Sequence, residues 1–379
     1  MNPIPLSLYI HFPWCVKKCP YCDFNSHALN TTLPEEAYIQ ALLDDCDQAL
    51  PAIWGRKIHS IFMGGGTPSL FSPKSIAFLL SQLRARFNFH PSLEITLEAN
   101  PGTVEQARFV GYKEAGINRI SLGIQSFQEA ALKALGRIHN ANEAKQAIVA
   151  VQKAGFTDFN LDLMYALPHQ TVELALQDLK TALQFSPPHL SWYELTLEPN
   201  TSFYHHPPSH LPNHDLAVDI EEAGLLYLQE QGFRRYEISA FEKQKPCHHN
   251  VNYWMFGDYL GIGAGAHSKL SDFNTRTIVR EMRHKHPKDY LNPEKPFIVE
   301  RRVVSADELP FEYALNTLRL TQSVPLSYFS ARSFLPTADF FAPLKTAEKK
   351  GWVTVTQSMV KTTSLGQRFL NDLTALFIQ

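Results

Sequence analysis

Neither sign of charge is in surplus: 35 Lys and Arg stand against 37 Asp and Glu, a formal charge of −2 over 379 residues. Without a basic excess there is no broad field for a polyphosphate backbone, so nucleic acid is set aside as a partner. The one local basic patch to be expected is Arg280, Arg283, Lys285 and Lys288. Long apolar runs are also missing, and nothing approaches the about 20 residues of a membrane-spanning helix. The opening Met-Asn-Pro-Ile-Pro-Leu-Ser has neither the basic start nor the apolar stretch of a secretion signal. Cysteine is scarce, five in all, and three of the five crowd between Cys15 and Cys22. That distribution suits no disulfide framework and predicts a reducing, cytoplasmic setting. With 44% hydrophobic and 19% charged residues, the chain is globular and not disordered.

What is present is an alternation of short β-rich runs with helical periodicity. Strands are expected at Ser7–His11, Ser60–Met63, Glu94–Glu98, Arg119–Gly123, Asp158–Met164 and Leu190–Leu197. Helices are expected between them at Glu35–Leu50, Ser75–Phe87, Val104–Ala115, Ala141–Ala154 and Val172–Phe185. This is an α/β pattern of six βα units, which predicts a partial (β/α)6 barrel over residues 1–235 with ligands at the C-terminal strand ends. A Gly- and aromatic-rich segment follows over 236–295, expected to behave as a loop. Over 296–379 three helices precede a hairpin at Trp352–Thr356 and Met359–Thr363, and Gly366–Phe377 closes as a helix. That order predicts a C-terminal, mostly helical winged-helix-like domain.

The densest chemistry lies just after the first strand, in His11-Phe-Pro-Trp-Cys15-Val-Lys-Lys-Cys19-Pro-Tyr-Cys22. Thiolates ligate iron–sulfur clusters, and a loop lets three of them converge on one face. Three cysteines without a fourth nearby leave one iron open, as a reactive centre requires and a closed structural site does not. A structural zinc is the alternative, with Cys46, Cys247 or a histidine as fourth ligand. Further along, Gly64-Gly65-Gly66-Thr67 follows the second strand, where glycines let the backbone approach a ligand. Glu98, Gln125 and Asp162 sit at or near the ends of successive strands, where a barrel opens.

Cys-x3-Cys-x2-Cys with an aromatic before the last cysteine resembles the radical S-adenosylmethionine (SAM) signature. The resemblance implies a [4Fe–4S] cluster on Cys15, Cys19 and Cys22, with SAM chelating the open iron and cleaved by one electron. Tyr-Ile-His-Phe-Pro-Trp-Cys, Gly-Gly-Gly-Thr-Pro, Gly-Ile-Gln-Ser-Phe, Leu-Gly-Arg-Ile-His and Asp-Leu-Met-Tyr-Ala-Leu-Pro are similar to the oxygen-independent coproporphyrinogen III oxidase family. Matched residue by residue, that likeness implies SAM contacts from Tyr9, Tyr21, Gly65, Gly66, Thr67, Glu98, Gln125, Arg137, Asp162 and Thr196.

Two departures separate this chain from the oxidase. Phe24 stands where the oxidase pattern has a fourth cysteine, and the cysteine loop follows a shorter N-terminal segment. Cys247-His248-His249-Asn250-Val251-Asn252-Tyr253-Trp254 instead resembles the His-Asn-x-x-Tyr-Trp motif of the haem-chaperone branch. That branch implies haem as ligand, porphyrin metabolism as setting, an acceptor haemoprotein as partner and an electron donor for the cluster. Imidazole ligates haem iron and Tyr or Trp can flank a porphyrin, so His249 is the expected haem ligand, with His248 and Cys247 beside it. Oxidative decarboxylation of coproporphyrinogen III remains the alternative activity.

Overall fold

The computed structural model describes residues 4–102 and 106–378; the expected helix start at Val104 and the opening Met-Asn-Pro lie outside the described residues. Five crossovers build the first half. Strand β1 (Leu6–Phe12) leads through α1 (Glu35–Ile53) to β2 (Lys57–Gly65), then α2 (Pro73–Arg86) and β3 (Asn88–Ala99). The series continues with α3 (Phe109–Ala115), β4 (Arg119–Gln125), α4 (Ala141–Lys153), β5 (Phe159–Tyr165), α5 (Val172–Leu183) and β6 (His189–Glu194). β1 through β6 pair in parallel and in chain order. Their residues alternate: Leu6, Leu8, Ile10 and Phe12 of β1 and Phe159, Leu161 and Leu163 of β5 join the core beneath the helices, while Ser7, Tyr9, His11, Asn160 and Asp162 take the other face.

Local signals set the helix boundaries. Ser72 caps α2 through Ser75 N–H with Pro73 in the first turn, and Thr171 caps α5. Asn140 and Glu143 close a reciprocal capping box on α4. The crossover helices turn Leu42, Leu79, Leu80, Ile148 and Leu179 onto the sheet in one continuous core.

Beyond α6 (His214–Glu230) the segment expected to be a loop is largely regular. Strand β7 (Arg234–Glu237) forms the edge, pairing antiparallel with β8 (Ala240–Glu242), which in turn pairs antiparallel with β6. Helix α7 (His248–Trp254) follows, and β9 (Asp258–Ile262) then pairs in parallel with β1 on the opposite side. β10 (His267–Asp272), β11 (Thr277–Arg283) and β12 (Ile298–Val303) extend that side antiparallel, giving twelve strands in an open sheet. Short strands and buried ionic residues hid this extension from hydrophobic periodicity. Lys269 lies inside it, paired with Asp258 at 3.0 Å. Arg283 is fully buried, its Nη2 3.3 Å from Asp45 of α1, and Arg280 donates to Glu312 and Tyr259. The expected basic patch is therefore no patch, because two of its four cations are spent on internal carboxylates.

The C-terminal part carries helices Leu309–Thr317, Ser327–Ser333 and Ala338–Lys349, then the antiparallel hairpin Val353–Val355 and Met359–Thr362. Tyr313, Phe329, Phe340 and Phe377 form its centre, with Phe329 stacked on Phe340 at 4.9 Å. Phe256 and Ile278 from the sheet side join the same cluster. The closing helix breaks at Phe369 into Ser364–Arg368 and Leu370–Ala375.

Candidate functional site

The chain leaves β1 at Phe12 and enters the cysteine loop at once. Trp14–Cys15 pairs with His27–Ala28, so residues 16–26 form a closed loop over the barrel mouth. Within it Cys22 N–H reaches the carbonyl of Cys19 at 3.1 Å, tightening the turn between the last two thiols. Cys15, Cys19 and Cys22 all line one cavity of about 460 Å³. Thr67 Oγ1 donates to Cys15 Sγ at 3.4 Å and Arg137 Nη1 to Cys19 Sγ at 3.5 Å. Burial, followed by repulsion from the other two sulfurs, holds the Cys15 thiol above its ordinary range, with the Thr67 contact acting the other way. Cys46 and Cys247 share none of this wall: Cys46 sits inside α1 in the barrel core, and Cys247 donates to Glu94 at 3.2 Å.

Nine of the ten residues expected around SAM line the same cavity: Tyr21, Gly65, Gly66, Thr67, Glu98, Gln125, Arg137, Asp162 and Thr196. Tyr9 does not; its hydroxyl meets His11 Nδ1 at 3.0 Å and it lines a neighbouring chamber. The glycines are required by contact. A Cβ on Gly65 would stand 2.3 Å from the His11 ring, at a backbone φ of +103°, and one on Gly66 would strike the carbonyls of Phe12 and Trp14. Gly65 N–H donates to Glu98 Oε2 at 3.1 Å. Gln125 holds a positive φ of 70° at a register shift between β4 and β5, a strained end that aims its side chain to accept from Tyr193 at 2.8 Å.

Two half-buried carboxylates, Glu98 and Asp162, face this cavity. Asp162 accepts from Ser121 at 3.0 Å and Asn160 at 2.7 Å. Burial, and then the charge of Asp162, push Glu98 up to about 8. Asn100 escaped sequence reasoning, although it lies two residues beyond Glu98 and so on the same side of the strand line. It accepts from Arg137 Nη2 at 2.7 Å and donates to Thr67 at 2.8 Å, tying three strand ends together.

A second cavity of about 900 Å³ adjoins the first, and the two share Asp23, Phe24, Ser26, Gly65 and Glu98. Phe24, 56% exposed, stands in the opening between them.

The His-Asn-x-x-Tyr-Trp segment lies elsewhere. α7 packs under the barrel, its N-terminus seated on Glu94, which accepts from His248 N–H and His249 N–H at 3.1 Å each. Asn252 reaches Ser7 at 2.8 Å and His249 Nδ1 meets Ser60 at 3.1 Å. His249 is 2% exposed, stacks on Phe62 at 4.8 Å, and its Nε2 has no partner among the described residues. Ser60 and Gly65 belong to one strand five residues apart, about 16 Å along it. The helix thus gives His249 none of the loop-like freedom expected of it. His248 is exposed and lines a separate cavity of about 370 Å³. Tyr253 alone of this motif lines the large chamber.

A parallel, open barrel with a three-cysteine loop at its mouth is the fold and site of a radical SAM protein, and the Radical SAM superfamily model matches residues 9–182. The HemN C-terminal domain model matches residues 304–369. Heme chaperone HemW of Haemophilus influenzae is 50% identical over 379 residues, covering 99% of this chain and 98% of the relative. Heme chaperone HemW of Escherichia coli is 47% identical, with 99% and 98% covered. The chain belongs to the HemW family. Coproporphyrinogen III oxidase (HemN) from Escherichia coli superposes with a TM-score of 0.83 at 24% identity, over 99% of this chain and 90% of the other, and shares the fold.

The residues present fit the groups this family implies. The donor set is three thiols on one wall, with a guanidinium at one sulfur and a hydroxyl at another. Arg137 Nε is buried and has no partner among the described residues, a donor left over in the cavity wall.

Proposed function

We propose that this protein is a haem chaperone, which binds haem and passes it to an acceptor haemoprotein in the cytoplasm. Cys15, Cys19 and Cys22 would hold a [4Fe–4S] cluster, reduced by an electron-donor protein, and the cluster supplies a single electron when bound. Glu98, Gln125, Arg137 and Asp162 would hold SAM, with Tyr21, Gly65, Gly66, Thr67 and Thr196 completing its contacts. A carboxylate suits the SAM ammonium or ribose, and Arg137 suits a carboxylate. Haem is ascribed to the chain from its relatives, and Tyr253, the motif residue that lines the large chamber, would flank a bound ring.

The observation that carries this reading is the full-length similarity to proteins named as haem chaperones, at 50% and 47% identity. Among the described residues no helix is long and apolar enough to cross a membrane. The test is direct. Anaerobically reconstituted protein is titrated with hemin, then mixed with an apo-haemoprotein whose activity reports haem. Binding followed by recovered acceptor activity is expected; absence of either removes the reading.

A further inference from the structure

We propose that the 900 Å³ chamber beside the cysteine loop receives the tetrapyrrole, and that His267 is the imidazole its iron meets. This rests on the haem reading above and gives it a location and a ligand.

The walls suit a flat, largely apolar ring. Tyr9 stands on β1, Tyr253 on α7 and Tyr259 on β9, with Tyr253 and Tyr259 edge to face at 4.4 Å. The rim suits carboxylate side arms. Lys18 and Lys285 both line the chamber, and the Lys285 ammonium makes no hydrogen bond or ion pair among the described residues. Asp23 is the rim's opposing charge.

Three histidines line the chamber, and one of them presents an exposed, unengaged imidazole. His11 is engaged at both nitrogens, by Tyr9 at 3.0 Å and by the Asn25 carbonyl at 2.8 Å. His27 Nε2 has no hydrogen-bond partner among the described residues, but it is closed off from solvent and its ring packs edge-on to His286 at 5.0 Å, so iron reaches it only by displacing that packing. His267 is exposed, and its side chain makes no hydrogen bond among the described residues. Its position is built by the turn between β9 and β10. Gly263 and Gly265 take φ of +99° and +85°, and a Cβ on Gly265 would meet the Asn25 side chain at 2.1 Å. That turn brings His267 to the chamber while Asn25 Nδ2 bonds the Ala264 and Lys285 carbonyls at 2.9 and 2.8 Å. The cavity at His248 is a weaker host. Its one cation, Arg332, is already committed to the Met255 carbonyl and to the Tyr328 ring.

Hemin and iron-free protoporphyrin IX are titrated in parallel into the full chain, by visible absorption and by fluorescence. His267→Ala should lose the imidazole-ligated haem band yet still take up the iron-free ring, which needs only the walls. Pro199→Trp, at the exposed rim of the same chamber, should weaken uptake of both, with circular dichroism confirming the fold. A wild-type haem band in His267→Ala, or transfer of the spectral loss to His248→Ala or His249→Ala, overturns the assignment. Failure of the unsubstituted protein to take up either ring removes the haem reading itself and the assignment with it.

Discussion

Arg137 Nη1 lies 3.5 Å from Cys19 Sγ, although 118 residues separate the two in the chain. The contact exists because the segment after β4 returns across the barrel mouth, where Arg137 also donates to the Gly123 carbonyl at 2.7 Å. A guanidinium set against a thiolate offsets the charge that a metal-binding cysteine carries. The Cys19 sulfur and the cavity lining are therefore parts of one constellation.

The three cysteines should be individually necessary for a cluster. Cys15→Ala, Cys19→Ala and Cys22→Ala should each abolish the visible absorption of reconstituted protein. Cys46→Ala and Cys247→Ala should retain it, since Cys46 packs in the core and Cys247 is bonded to Glu94. Equal loss in either of those two would mean that the cluster is held differently.

Glu98 should make SAM affinity depend on pH. Burial and the neighbouring Asp162 raise its carboxyl to about 8, so near neutrality much of it is protonated. A neutral acid attracts the SAM cation less than a carboxylate does. Affinity should therefore rise between about pH 6 and pH 8, and Glu98→Gln should flatten the profile. Stability runs the other way. The folded state holds a proton that the unfolded chain releases near 4.5, so stability falls as pH rises from there through about 8. Calorimetric titration with SAM at several pH values reads the first effect and urea unfolding reads the second. A profile unchanged by Glu98→Gln in both would detach Glu98 from the cavity chemistry.

His249 should matter to stability. Truncation to Ala removes a buried ring stacked on Phe62 and the partner of Ser60, at about 3 kcal/mol. Burial, and secondarily Arg119, push its pKa down to about 3. The folded state thus keeps the ring neutral while the unfolded chain protonates near 6.5. Its contribution is complete above that value and is lost as pH falls toward 3. Urea unfolding at pH 7 and pH 5 should show a smaller difference for His249→Ala than for the unsubstituted protein. An identical difference would show that another buried group, such as His11, dominates.

Six parallel strands could be read from the sequence because each carries apolar residues at every second position, as Leu6, Leu8, Ile10 and Phe12 or Phe159, Leu161 and Leu163 do. The polar residues at their ends were visible for the same reason: Glu98 and Asp162 fall on the alternate positions, off the apolar stripe. The antiparallel extension was not, because Lys269 and Arg283 sit in its interior and only their ion pairs with Asp258 and Asp45 make that tolerable. The placement of α7 was equally hidden. A His-Asn turn before two aromatics reads either as a loop free to approach a flat ligand or as a packed barrel corner, and only Glu94, distant in sequence, decides for the packed form. Asn100 and Tyr193 acquire meaning only through partners on other strands.

The protein should bind haem and fail to convert coproporphyrinogen III. The negative half rests on Phe24, which occupies the position of the fourth cysteine in the oxidase pattern. A phenyl ring can neither ligate iron nor donate a hydrogen atom from sulfur, and here it stands between the two chambers, lining both. Reconstituted protein incubated with SAM, reductant and coproporphyrinogen III should yield no protoporphyrinogen, while hemin added separately is taken up. Phe24→Cys tests how much depends on that side chain. It is exposed on a loop and its replacement should leave the fold intact. If the variant also fails to decarboxylate, the difference from the oxidase extends beyond this one position. If the unsubstituted protein converts coproporphyrinogen III, the chaperone reading is lost. Cys22→Ala then separates the two activities further. Removing a cluster ligand should abolish any radical chemistry and leave hemin uptake largely intact, because the wall offered by Tyr253, Tyr259 and His267 comes from other elements.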